Sequence, residues 1–261
     1  MSIGSLFSGI GGLDLGAERA GLGPVRWQVE INPYSRALLA KHWPEAEQHE
    51  DVRSVAAASL PFVDVICGGF PCQDVSVAGG GAGLVGERSG LWYEYLRILR
   101  EVRPRGVLIE NVPGLVRRGL DVVVEGLQGL GYEVEGTRIR ASDLGAWHRR
   151  ERVFLVAWTA PHTDRQPLRL QRQRQAPTWN AWGVSSAVSR DAEPLVAGEN
   201  DGWTSRPGMA RMDDGVSDGL AEAALGNAVV PSCAYVAAVR LRERLGWLTE
   251  PDGFERLKAL P

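Results

Sequence analysis

Three kinds of residue, each set at the end of an apolar run, could do chemistry together. The run Phe62-Val63-Asp64-Val65-Ile66-Cys67-Gly68-Gly69-Phe70 stops at two glycines and leads into Pro71-Cys72-Gln73. Free cysteines are mostly small buried hydrophobes, and Cys67, inside the run, reads that way. Cys72 reads the other way. A proline precedes it, an amide follows it and a glycine-rich loop opens beyond, so its thiol is placed for attack. Glu110, followed by Asn111-Val112 and the turn Pro113-Gly114, puts a carboxyl group at another strand end. In a cleft beside a thiolate its pKa would rise and it would serve as an acid; alone, it would be a turn residue satisfying local amides. Arg150 and Arg152 alternate along a strand start and so project to one side. Either can grip a carbonyl oxygen or a phosphate, or simply pair with Glu151. A nucleophile, a proton donor and cationic clamps suit covalent addition to a ring.

Alternating elements must position these groups. Strand patterns occupy 5–8, 25–31, 63–67 and 106–110, and helix patterns 13–20, 34–42, 91–102 and 120–130. Asp14 and Glu18 stand in the first turns of the first helix, where acids suit the dipole. Pro33 suits a first helical turn. The segments 132–139 and 152–158 read as a closing pair of strands. This alternation predicts an α/β chain with a parallel, doubly wound sheet. After Pro161 the periodicity disappears into Gln, Arg, Trp, Ser, Gly and Pro until about residue 215, which reads as a small irregular module or long loops. A helix is predicted over 232–245, with Cys233 packed on it. Gly79-Gly80-Gly81-Ala82-Gly83 follows the cysteine loop and predicts a hinge or lid.

The bulk properties bound the function. The chain has 261 residues, 44% hydrophobic and 23% charged, enough for one large α/β domain with a small insert. No apolar run reaches membrane-spanning length, and the N-terminus lacks a secretory pattern. Three cysteines make no disulfide framework, so a reducing cytoplasm is expected. No His or Cys cluster has zinc-ligand spacing, so no metal is expected. The net charge of -3, taken alone, argues against a nucleic-acid partner, since such proteins are often basic. From 138 to 174, however, nine arginines face three acids, an excess of six that can steer an anion.

A nucleoside site is suggested separately. Phe7-Ser8-Gly9-Ile10-Gly11-Gly12 follows the first strand and opens the first helix, where glycines permit a tight turn and close approach of a ligand. The glycine spacing alone is a weak signal. Glu30, at the end of the second strand, can accept both hydroxyls of a ribose, and Asp51 can accept an adenine amino hydrogen. Taken singly, either acid is an ordinary cap or a solvated carboxylate.

Taken in order, Phe7-Ser8-Gly9-Ile10-Gly11-Gly12, Glu30, Asp51, Gly69-Phe70-Pro71-Cys72-Gln73, Glu110-Asn111-Val112, Arg149-Arg150-Glu151-Arg152-Val153 and Leu225-Gly226-Asn227-Ala228-Val229-Val230-Pro231 make a resemblance. The chain resembles the DNA (cytosine-5)-methyltransferases, especially small bacterial and phage forms. The resemblance implies a Rossmann-like methyltransferase fold that uses S-adenosylmethionine and releases S-adenosylhomocysteine, with no metal. It implies Cys72 as the nucleophile toward carbon 6 of a flipped cytosine, Glu110 at ring nitrogen 3, and Arg150 and Arg152 holding the base. Phe7, Ser8, Gly9, Gly11, Gly12, Glu30, Ile31, Asp51, Val52, Pro71, Asn227 and Ala228 would line the cofactor pocket. Gln73, Ser76, Arg88, Arg149, Arg165, Arg169 and Arg172 would meet duplex DNA. The loop 73–88 would close over the extruded base, with Ser76 or Val77 filling the vacated stack.

The implied organisation is a catalytic and cofactor-binding domain over 1–158, a target-recognition region over 159–215, and a helical region over 216–261 that returns to the first. Residues 206–215 resemble the element that ends the family's insert, which leaves about 45 residues between Ala160 and Arg206 for base reading, short for the family, and implies a short recognition sequence. His148 stands where the family often has Gln. The expected setting is a bacterial or phage-infected cytoplasm. A cognate restriction endonuclease is an admissible partner, no membrane is involved, and a monomer suffices to flip one base. Three other readings stand beside this one: an RNA cytosine methyltransferase, whose Cys-Phe-Thr element is not found here; an inactive DNA-binding relative, which would be expected to lose Cys72; and a nicotinamide oxidoreductase, which leaves Pro-Cys-Gln unexplained.

Overall fold

The computed structural model describes residues 1–71, 90–146, 148–159, 178–179 and 228–247. Cys72, Gln73, Ser76, Arg88, Arg165, Arg169, Arg172 and Asn227, with the lid and most of the insert, lie outside the described residues. The strands are β1 (Ile3–Leu6), β2 (Val25–Val29), β3 (Glu47–His49), β4 (Val65–Gly68), β5 (Gly106–Asn111), β6 (Glu133–Arg140), β7 (Glu151–Trp158) and β8 (Thr178–Trp179). The helices are α1 (Gly12–Arg19), α2 (Pro33–His42), α3 (Gly90–Val102), α4 (Leu115–Arg118), α5 (Leu120–Gly129) and α6 (Pro231–Arg244). One sheet runs in the order β3-β2-β1-β4-β5-β7-β6-β8.

The sheet is not wholly parallel. β3, β2, β1, β4 and β5 pair in parallel, but β7 lies between β5 and β6, antiparallel to both. Connection lengths explain this. The stretch from β5 to β6 holds α4 and α5, long enough for a crossover that skips one strand position. About ten residues join β6 to β7, too few for a crossover, so the chain turns back antiparallel into the gap. β3 went unread in the sequence because Glu47-Gln48-His49 is a polar edge strand without apolar alternation. The two residues of β8 extend the other edge, pairing with Glu135 and Gly136 of β6.

Period-two alternation divides the core between the two faces. Ile66, Val107, Ile109, Val153, Leu155 and Ala157 pack with α3 and α5. Val65, Cys67, Leu108, Phe154, Val156 and Trp158 pack with α1 and α6. This parity decides where each site residue points. Cys67 and Cys233 are both buried, as their packing roles require.

α6 joins α1 by close backbone contact. A methyl group on Gly12 would collide with the Val229 carbonyl, and one on Gly16 with Ala234 and the Pro231 carbonyl. Glu135 of β6 is buried and paired with Arg240 (3.0 Å) and Arg244 of α6. Among the described residues, no helix is long and apolar enough to cross a membrane.

Candidate active site

The β1–α1 connection makes a narrow, strained turn. Phe7, Gly9 and Gly11 have φ of 55°, 56° and 84°. Glycine adopts this region freely, whereas Phe7 carries a strain of about 1–3 kcal/mol that surrounding contacts must offset. Its ring lies 6.3 Å from Tyr95, nearly parallel to it. Glu30 ties this turn to the next one. Its Oε2 accepts from the Gly9 amide (2.7 Å) and its Oε1 from the Asn32 amide (2.8 Å). Asn32 also caps α2 by accepting from the Tyr34 and Ser35 amides.

Beneath the turn is a buried polar network. Ser8 donates to Ser5 (2.8 Å), and Ser5 donates to Asp14 Oδ1 (2.6 Å). Gln28 donates to Asp14 Oδ2 (2.5 Å), and the Cys67 thiol reaches Oδ1 at 3.4 Å. Asp14, read in the sequence as a first-turn acid suited to the helix dipole, is in addition the centre of this network. It is fully buried, and burial raises its pKa against the pull of these donors. Burial likewise pushes the Cys67 thiol well up, so that thiol stays protonated. Ser8 donates its hydroxyl inside this network, its amide donates to the Val29 carbonyl (3.2 Å) and its carbonyl accepts from the Gly11 amide (2.9 Å), so it braces the turn.

The other expected pocket residues are spread along the same carboxyl ends of the strands. Ile31 is 60% exposed, an apolar surface next to Glu30. Val52 is buried in the core, so its main chain is what remains for a ligand. Asp51 is held by Arg53, at 2.8 Å from Nη2 and 3.0 Å from Nε, and these bonds hold its carboxyl below the ordinary range. Ala228 adjoins Val229, whose carbonyl faces Gly12.

These residues suit an adenosyl group. The Glu30 carboxylate has acceptor sites left after two amide bonds. Among the described residues a Cβ on Gly9 would meet nothing within 4 Å, so none of them fills the space before the turn. Among the described residues no group of His, Cys, Asp and Glu is arranged to hold a metal.

The second cluster of candidate residues forms where β4, β5 and β7 finish or begin together. Even-numbered residues of β5 and β7 face α6, so Glu110 and Arg152 lie on one face. Arg152 Nε is 2.9 Å from Glu110 Oε1. Glu110 is only 7% exposed, and burial raises its pKa from 4.5 to about 7 against the attraction of Arg152 and Arg150. Arg150 shares this field, its pKa lowered by burial and by Arg152. Its amide donates to His148 Nδ1 (3.3 Å), and burial with Arg150 lowers the His148 pKa, so that imidazole is a neutral acceptor. Arg149 is exposed.

The chain leading to Cys72 enters this site. A Cβ on Gly69 would stand 3.0 Å from Glu110 Oε2. Asn111, on the opposite face from Glu110, donates Nδ2 to the Phe70 carbonyl (3.0 Å) and accepts from the Val112 amide. Phe70 packs on Trp92 and Tyr95 with ring centroids 4.9 and 6.3 Å apart. Tyr95 therefore touches both Phe7 and Phe70, linking the glycine turn to the strand end before Pro71.

Sequence reading missed several of these positions. Cys233 feels the charges of Glu110 and Arg150 across α6, and burial pushes its thiol up to about 12. The Asp14 network and the Asn111 anchor were also unread.

Comparison with known proteins identifies the family. Residues 1–181 match the family model of the C-5 cytosine-specific DNA methylases. The chain is similar to the Type II methyltransferase M2.BsuMI of Bacillus subtilis, at 36% identity over 165 residues, covering 60% of this chain and 42% of that protein. It is similar to M.FnuDI of Fusobacterium nucleatum, at 37% over 169 residues, covering 60% and 47%. The match thus spans about half or less of these relatives' lengths. Among solved structures it is similar to one described as a DNA modification methyltransferase encoded within an E. coli prophage, with TM-score 0.50, 30% identity and coverage of 61% and 47%. Spodoptera frugiperda DNMT2 shares the fold, with TM-score 0.54 at 20% identity over 69% of this chain and 54% of that one.

Proposed function

Because the chain belongs to the C-5 cytosine-specific DNA methylase family, we propose that it methylates carbon 5 of a cytosine flipped out of duplex DNA, through a transient bond to Cys72. The observation that carries this reading is the meeting of Gly69 with the Glu110 carboxyl, three residues before that thiol. A carboxyl group with a pKa of about 7 is protonated about half the time near neutrality. Its proton is therefore available to ring nitrogen 3 as Cys72 bonds to carbon 6. That addition removes the ring's aromaticity and makes carbon 5 nucleophilic. Arg152 and Arg150 would hold the ring oxygen and stabilise the same developing charge. When bound, S-adenosylmethionine supplies an electrophilic methyl group. Passage of the carbon 5 proton to water, departure of the Cys72 thiolate and return of the nitrogen 3 proton to Glu110 would then restore the ring.

The target carbon is out of reach in a stacked helix, so the base must be extruded at a cost of a few kcal/mol. Glu30 would accept the ribose hydroxyls, the Phe7–Gly12 turn would admit the methionine portion, and Ile31 and Asp51 would meet the adenine. Gln73, Ser76, Arg88, Arg149 and the insert's arginines would contact the duplex, giving steeply salt-dependent binding. We further infer a monomer in the cytoplasm, acting alone or beside a cognate restriction endonuclease. The division into 1–158, 159–215 and 216–261 belongs to the same reading.

Bisulfite sequencing of DNA from cells expressing the chain tests it. Protected cytosines in one short sequence context are expected, absent with Cys72→Ala, while the variant still binds S-adenosylhomocysteine. Methylation that persists in Cys72→Ala, or that appears on transfer RNA and not on duplex DNA, would refute it.

A further inference from the structure

The loop that carries Asp51 and Val52 is held from behind by one side chain of α3. Arg97 Nη2 donates to the Val52 carbonyl (2.9 Å) and to the Val55 carbonyl (3.1 Å). The rest of the guanidinium is fixed by its own helix, with Nε 2.7 Å from Glu94 and Nη1 3.4 Å from Glu101. Among the described residues no main-chain amide reaches either carbonyl, so Arg97 is what satisfies both. The near side of the loop is organised differently. Asp51 accepts from the Arg53 amide (2.9 Å) and from its guanidinium, and its carbonyl accepts from Ser54. Val52 and Val55 bury their side chains in the core that α3 completes. The loop therefore has a self-contained turn in front and a single polar tether behind.

We propose that Arg97 is a positioning residue for the adenine half of the cofactor pocket: by holding two carbonyls of the Asp51 loop it fixes where Asp51 stands, and so sets discrimination for a 6-amino purine. This rests on the reading that Asp51 accepts the adenine amino hydrogen. Arg97 touches no ligand itself. The two N–H bonds of Nη2 serve both carbonyls while Nε and Nη1 hold Glu94 and Glu101; an ammonium could reach the carbonyls but would lack the separate nitrogens that fix the guanidinium to its helix. Two carbonyls left without a donor would draw the loop toward water, and a carboxylate moved by even 1 Å no longer meets its partner.

The test uses the full chain, with calorimetric titration of S-adenosylhomocysteine and of its deaminated analogue S-inosylhomocysteine, which presents a carbonyl where adenine has an amine. The unaltered protein is expected to prefer the adenosyl ligand about 10–100-fold, the range of a hydrogen bond to a charged acceptor. In Arg97→Ala the preference should fall to within about threefold, through weaker adenosyl binding, while affinity for a mixed-sequence duplex is unchanged. Arg97→Lys should fall between the two. A purely structural role would lower thermal stability and leave the preference intact. An unchanged preference in Arg97→Ala overturns the inference, and so does one in Arg97→Lys if the alanine variant does not fold. If the unaltered protein binds both ligands equally, the role of Asp51 fails and the inference with it. If it binds neither, the cofactor reading itself is wrong.

Discussion

Glu110 ought to cost the protein stability, and that cost should vary with pH in a known direction. The carboxyl group is 7% exposed and has a pKa of about 7 against an ordinary 4.5. Below about pH 4.5 folded and unfolded chains both hold the proton, and the group has no effect on the equilibrium. Between about 4.5 and 7 the unfolded chain has released its proton and the native state keeps it, so stability falls as pH rises. Above about 7 both are ionised and the loss is complete. A separation of about 2.5 pH units, at about 1.4 kcal/mol each, amounts to roughly 3 kcal/mol. The attraction of Arg152 and Arg150 is already contained in this figure, since without it the pKa would stand higher.

Glu110→Gln reproduces the protonated form at every pH. Urea unfolding followed by circular dichroism should give equal stability for the two proteins near pH 4.5. At pH 8 the glutamine variant should be more stable by up to about 3 kcal/mol, with most of the difference developing between pH 5 and 7. The same variant should lose about 10²–10⁴-fold in methyl transfer, because glutamine cannot pass a proton to the ring. A stability difference that does not change with pH, or a glutamine variant less stable at pH 8, would refute both the burial argument and the acid role built on it.

Two further outcomes follow from contacts of main chain. Gly12→Ala would push the Val229 carbonyl, a backbone atom that cannot swing aside, and should destabilise by about 1–3 kcal/mol and weaken cofactor binding as α6 shifts; a melting temperature equal to that of the unaltered protein would show that α6 does not need this contact. Asn111→Ala removes the amide that holds the Phe70 carbonyl, so the approach to Cys72 loosens. The turnover number should fall about 100-fold with the S-adenosylhomocysteine dissociation constant unchanged, which single-turnover methylation and titration together would check.

The parts of the candidate site that the structure describes were legible where their signals are local. A glycine turn after a strand and a carboxyl at a strand end can each be read from a few neighbours. Asp14 could not be read this way. Its partners Ser5, Gln28 and Cys67 come from β1, β2 and β4, and nothing near it in sequence distinguishes it from Glu18. Glu18 does what a first-helix acid can do at the surface, accepting from the Val25 amide and the Trp43 indole. The Arg97 tether was hidden for the same reason, its two carbonyls lying far back along the chain.

Strand parity carried information that was available and only partly used. Arg150 and Arg152 were expected to share a side, but which side depended on how β7 entered the sheet. Because β6 and β7 are joined by too short a connection to cross over, β7 must run antiparallel beside β5. That register sets Glu110 opposite Phe154 and Asn111 opposite Val153. Arg152 then falls on the α6 face with Glu110, while Asn111 turns to the other face and anchors Phe70. A parallel β7 would have presented its arginines at the opposite end of the sheet, away from the carboxyl group they offset. The raised but still near-neutral pKa of Glu110 is therefore a consequence of one short connection as much as of the residues themselves.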